Sequence, residues 1–137
     1  MERAGGCFCG ALRYAVRGDA SSITICHCHS CRKVAGAASV AWLSVRQDQF
    51  AWTQGAPALL HSSPKVTRTF CAACGTGITY RHIDSADQLD VTLCSLDAPE
   101  SLSPRDHTQT GERVRWDVIA DGLPQYPASR GEGATGP

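Results

Sequence analysis

The chain has 137 residues, with 13 Lys and Arg balanced by 13 Asp and Glu, and a formal net charge of zero. That length fits one domain, and the balance argues against the basic face that electrostatic nucleic-acid binding needs. No apolar run reaches signal-peptide or membrane-span length, so a cytoplasmic protein with no membrane partner is expected.

Taken in chain order, the pattern is one of short alternating segments between turn residues, which reads as β. "ALRYAVRG" sets Leu12, Tyr14 and Val16 against Arg13 and Arg17. "SITICHC" runs into a cysteine cluster, and "CRKVAGAA" after it predicts a helical turn or two ended near Gly36. "SVAWLSV" (39–45) is β-branched and aromatic. "KVTRTF" enters a further cysteine cluster and "GITYRHI" leaves it. "QLDVTLCSL" puts Leu89, Val91 and Leu93 on one face of a strand and Asp90, Thr92 and Cys94 on the other. "SLDAPESL" holds another turn, and "RVRWDVI" reads as a last strand with Trp116 packed. The expectation is a mainly β chain with one or two short helical turns. It forms one zinc-binding β domain over residues 1–127, with a disordered tail over 128–137.

Seven of the eight cysteines fall in three clusters: Cys7 and Cys9; Cys26, Cys28 and Cys31; Cys71 and Cys74. A disulfide within C-x-C closes a very small ring against preferred geometry, and cytoplasmic thiols stay reduced. Zinc fits the spacing better. Two of the pairs are followed at once by glycine, whose freedom to take a positive φ lets the backbone turn its N–H groups toward thiolates. Cys7, Cys9, Cys71 and Cys74 thus make a four-ligand structural site. Closing the intervening loop costs about 4 kcal/mol, against roughly 10–16 kcal/mol from structural zinc.

Cys26, Cys28 and Cys31 remain. Three protein ligands and a vacant position characterise a catalytic zinc, although Cys94, His27 or His29 could close the site. His27, inside an extended C-x-C, should point away from the sulfurs. His29 is a candidate for proton transfer beside the site, and Cys94 reads as a small buried apolar residue. A soft three-thiolate zinc suits a sulfur substrate, held as thiolate and able to attack an electrophile such as a small aldehyde. Such a zinc would also leave readily. Arg32 and Lys33 could meet a carboxylate of a peptide-like thiol, while Trp42, Leu43 and Phe50 could line a pocket or simply fill the core.

The order C-x-C-G, C-H-C-x-x-C and F-C-x-x-C-G-T resembles the family of glutathione-dependent formaldehyde-activating enzymes, which is grouped with centromere protein V. "SLD" at 95–97, Pro99, Pro104, His107 and "DGLPQY" at 121–126 extend the likeness over residues 4–127. The resemblance implies a β-tent-like fold of stacked antiparallel sheets. It also implies a structural zinc on Cys7, Cys9, Cys71 and Cys74, and a catalytic zinc on Cys26, Cys28 and Cys31. The reaction it implies is carbon–sulfur lyase chemistry, joining glutathione to formaldehyde as S-hydroxymethylglutathione. His107 matches a family histidine and becomes a second candidate for acid–base work. The rival reading is a non-catalytic, zinc-stabilised module that binds a protein partner. The sequence leaves the oligomeric state open.

Overall fold

A computed structural model describes residues 1–130. It divides into two compact units, Met1–Ser22 with Leu43–Leu102, and Ile23–Trp42 with the chain from Ser103 on. Among the described residues there are ten strands, β4 being Val40–Arg46, and a single α-helix, so the fold is mainly β as expected. No helix among them is long and apolar enough to cross a membrane.

The first unit contains a three-stranded antiparallel sheet in the order β1 (Glu2–Gly6), β2 (Arg13–Arg17), β5 (Phe50–Gln54). Alternation along β2 works as the sequence suggests: Leu12, Tyr14 and Val16 are buried. Tyr14 stacks on Phe50 with ring centroids 5.0 Å apart, and its hydroxyl lies 2.7 Å from Ser95 Oγ. That bond satisfies the polar end of an otherwise apolar group. An antiparallel meander follows: β6 (Ala58–Ser63), β7 (Val66–Phe70), β8 (Gly77–His82) and β9 (Gln88–Thr92). Val66, Ile78 and Val91 are its buried aliphatic residues, with Val66 opposite His82 and Val91 opposite Thr79 on the two faces.

The second unit pairs β3 (Ser22–Cys26) with β10 (Asp106–Thr108) in parallel, Thr108 lying opposite Cys26. It also holds the seven-residue helix α1 (His29–Ala35), closed by Gly36. Parallel pairing needs a long crossover, which the intervening residues supply.

Several expectations are corrected. β9 stops at Thr92, and Leu93–Ser95 is a 3-10 turn. The turn keeps Leu93 buried and turns Cys94 out, so Cys94 is exposed rather than a buried apolar residue. "RVRWDVI" is not a strand. A 3-10 turn at Thr110–Glu112 and a bond from Asp117 N–H to Val114 O coil it away from sheet geometry, leaving Trp116 76% exposed instead of packed. β1, β5, β6 and β10 are strands for which the sequence pattern carries no expectation.

The disordered tail expected over 128–137 lies outside the described residues from 131 on. Its first residues are held. The Gln109 N–H donates to Ala128 O, and Arg130 reaches Asp106 with Nε at 2.5 Å and Nη2 at 2.9 Å from the carboxylate. Burial works against ionisation of Asp106, but the Arg130 and Thr24 hydrogen bonds hold its carboxyl below the usual range. Because the folded pKa lies below the unfolded one, this contribution is complete above the unfolded carboxylate range. It fades as pH falls through the lower, folded value. Arg130→Met should therefore destabilise the protein at pH 7 by about 1–2 kcal/mol, since Arg130 is partly solvated. The deficit should shrink below about pH 3, a difference that urea melts at the two pH values would read.

Two candidate metal centres

Both ends of the four-cysteine group are hairpin turns of the same design. Cys7 closes a turn between β1 and β2: the Gly10 N–H donates to Cys7 O at 3.1 Å, and Cys7 N–H donates to Leu12 O. Cys71 does the same between β7 and β8, where the Gly75 N–H donates to Cys71 O at 2.8 Å. Gly10 and Gly75 sit at φ 83° and 82°, a region that costs an L side chain roughly 1–2 kcal/mol. That is why a glycine follows each pair. The turns aim backbone donors at sulfur, as the Leu12 N–H does at Cys7 Sγ, 3.2 Å away.

The four sulfurs of Cys7, Cys9, Cys71 and Cys74 lie within 4.8 Å of one another. Cys7 and Cys9 Sγ are 3.6 Å apart, and Cys9 and Cys71 Sγ 3.7 Å. A disulfide would need about 2.05 Å. A tetrahedron with zinc–sulfur bonds of about 2.3 Å puts neighbouring sulfurs about 3.8 Å apart. The spacing fits a metal. Thr76 ties the two turns together: its Oγ1 accepts from the Phe8 N–H at 3.0 Å and lies 3.3 Å from Cys74 Sγ. The Thr76 side chain and backbone bring the Cys74 thiol down to about 5. Cys9 is pushed up to about 11, the Ala11 N–H favouring its thiolate but the Cys7 sulfur and burial prevailing.

The three-cysteine group is assembled by one strand end and one helix start. Cys26 ends β3, Cys28 is the N-cap of α1, and Cys31 is buried in the helix. Cys28 Sγ accepts from the Cys31 N–H at 3.3 Å, the usual N-cap bond made by sulfur. All three sulfurs lie within 4.8 Å, and among the described residues the group has three members. Hydrogen bonds from the Cys26 and Cys31 sulfurs pull Cys28 down to about 2, aided by the N–H groups of Cys31 and Ser30. Cys26 is pushed far up by the Cys28 and Cys31 sulfurs and by burial. Three sulfurs this close cannot all ionise alone; a divalent cation among them removes the conflict. Thiolate donors are those that soft or borderline metals prefer.

His27 points away from the sulfurs, as its place in an extended C-x-C requires. It is 1% exposed, with Nε2 2.8 Å from His107 Nδ1. Burial, then His107, lowers its pKa. His107 is buried and continues to Asp121, Nε2 lying 2.7 Å from Oδ2. Burial opposes ionisation of Asp121, but the bonds from His107 and the Leu123 N–H hold it below the carboxylate range. His29 is exposed, and its backbone N–H donates to Glu112 Oε1. Arg32 is committed to the loop, donating from Nε to His27 O at 3.2 Å, while Lys33 is exposed. Trp42 and Leu43 are buried, and Phe50 packs against Tyr14 and Trp52, so these three serve packing. Cys94 lines an open hollow of about 420 Å³ with Cys7, Arg13, Thr76 and Asp97.

Of the residues the sequence singles out, the seven clustered cysteines come together in two groups, and His107 lies against His27, outside both. Sequence reasoning missed the parts played by Thr76, Glu112, Asp121 and Arg130. Only Asp121 carried a signal, as the first residue of the "DGLPQY" run.

A family model described as "Glutathione-dependent formaldehyde-activating enzyme" matches residues 2–112. Among solved structures, a Rhodobacter sphaeroides protein aligns over 74% of this chain and 92% of its own, with a TM-score of 0.60 and 20% identity. That likeness shows the fold. No curated protein matches the sequence.

Proposed function

The chain belongs to the glutathione-dependent formaldehyde-activating enzyme family, and from that premise we propose that it adds a small thiol to an aldehyde. Glutathione and formaldehyde are the substrates the reading names, and S-hydroxymethylglutathione the product. A carbon–sulfur bond forms, and the thiol proton ends on the former carbonyl oxygen. Run backwards, this is carbon–sulfur lyase chemistry. Cys7, Cys9, Cys71 and Cys74 would hold a structural zinc, and Cys26, Cys28 and Cys31 a second one with an open corner. When bound there, zinc supplies a soft Lewis-acidic position that favours a substrate sulfur as thiolate.

The protein's own groups do the rest. The Cys31 N–H fixes Cys28 Sγ, so the sulfur triangle is set before substrate arrives. His29, exposed next to Cys28, is the proposed acceptor of the thiol proton. His107, the other candidate, is buried with both ring nitrogens engaged, by His27 and by Asp121, so the proposed proton exchange with substrate stays with His29. Lys33, exposed on α1, suits a carboxylate of a peptide-like thiol. A reducing cytoplasm is the matching compartment, since it keeps seven thiols free.

The observation that carries the reading is the three-sulfur group with no fourth member among the described residues. The test mixes zinc-loaded protein with glutathione and 13C-formaldehyde and follows the hydroxymethyl carbon by NMR. The expected result is adduct formation faster than without protein; an unchanged rate with two zinc ions bound would overturn the reading. A non-catalytic protein-binding module is the alternative. It is favoured by Trp116 and Val118, each 76% exposed on one short segment.

A further inference from the structure

We propose that Asp121 and His107 are positioning residues for the three-cysteine centre, acting through His27 on the loop that carries Cys26 and Cys28. The inference rests on the reading of that group as a metal centre, and concerns how the metal-free protein keeps its sulfurs convergent.

His27 sits between two of the sulfurs and is pinned on three sides. Its N–H donates to Thr108 O at 3.1 Å, its carbonyl accepts from Arg32 Nε, and its ring meets His107. His107 is itself fixed: its N–H donates to Pro124 O at 2.9 Å, and its carbonyl accepts from the Tyr126 N–H at 2.8 Å. The order of protons follows from the end of the chain. Asp121 is an acceptor only, so the nearer nitrogen of His107, Nε2, carries the proton. Nδ1 of neutral His107 is then bare and accepts from His27 Nε2–H. That leaves His27 Nδ1 bare, and it is the one buried side-chain nitrogen or oxygen without a partner among the described residues. The other carboxylate in the region, on Asp117, is 3.8 Å from it, beyond hydrogen-bond reach.

A leucine would fill the same volume without stranding a polar atom. What the imidazole adds is direction. A ring held at Nε2 cannot rotate without breaking the bond to His107, so the peptide planes on either side keep the orientation that sends Cys26 and Cys28 to the opposite face. Groups that orient metal ligands from outside typically change metal affinity by about 10–100-fold when removed.

The test is a cobalt titration of the full chain, with a competing chelator and the thiolate-to-cobalt absorption band as readout. Asp121→Asn removes the charge that orders the imidazoles. It should weaken the second cobalt by about tenfold, leave the first unchanged and leave the melting curve cooperative. Asp121→Glu, which restores a carboxylate, should recover most of the loss, a rescue that loss of packing would not give. Imidazole 15N shifts of the wild type should show protons on Nε2 of both His27 and His107. A proton on His27 Nδ1, or a folded Asp121→Asn variant with both affinities within twofold of wild type, overturns the proposal alone. Wild-type protein that takes up a single cobalt ion overturns the two-metal reading beneath it.

Discussion

Replacing Cys71 by serine is expected to abolish the cooperative thermal transition of the protein and to release the first metal ion. Cys71 is 3% exposed and anchors the turn between β7 and β8 through both its N–H and its carbonyl. Its sulfur lies 3.7 Å from that of Cys9, a partner 62 positions away in the chain. The four sulfurs therefore tie the β1–β2 turn to the β7–β8 turn. Each turn alone is a short loop with an exposed outer side. Bringing such distant segments together costs about 4 kcal/mol in loop entropy. Structural zinc contributes roughly 10–16 kcal/mol in small zinc peptides, and a domain of this size has only about 5–15 kcal/mol of net stability. Losing the ion removes as much free energy as the whole fold holds in reserve. Serine keeps the shape but is a poor zinc ligand at neutral pH, so the loss follows from the sulfur and not from its volume. Circular dichroism during a thermal ramp, with zinc counted by mass spectrometry of the native protein, would read both effects. A Cys71→Ser protein that melts cooperatively within a few degrees of wild type would remove the structural-zinc reading.

The parts of this molecule that were legible in the sequence are those fixed by neighbours in the chain. The cysteine groupings depend on spacings of two and three residues and on the glycine after each pair, all local, and the geometry of the two turns reproduces them. The alternation of Leu12, Tyr14 and Val16 is local too. Illegible features depended on pairing. β6 carries Leu59 and Leu60, both exposed, so it has no apolar face to announce it and is a strand because β7 lies beside it. "RVRWDVI" has the alternation of a strand but follows a 3-10 turn and pairs with no strand among the described residues, and its Trp116 faces water. The His27–His107–Asp121 line joins residues 80 and then 14 positions apart through the parallel pairing of β3 with β10. Nothing in the local pattern around His27 signals that crossover.

The second large effect is expected at Cys28, and it is of the opposite kind: loss of chemistry with the fold intact. Cys28 has two roles. Its sulfur completes the three-member group, and the same atom caps α1 by accepting from the Cys31 N–H. Serine is among the better N-cap residues, so Cys28→Ser keeps the helix start while removing one of three thiolates. The second metal should then bind at least 100-fold more weakly, by the scale of losing a direct ligand where an outer group alone is worth 10–100-fold. Thiol addition should fall to the uncatalysed rate, and Tm should stay within a few degrees of wild type. The comparison with Cys71→Ser decides between the two functional readings. A purely structural second centre would make both variants unfold alike, whereas an open catalytic one separates them, with one melting early and the other folded but inert. In wild-type protein, glutathione should displace the second ion while the first stays bound. Two ions that both resist millimolar glutathione, together with a Cys28→Ser protein that melts like Cys71→Ser, would leave the interaction-module reading standing in place of the enzyme.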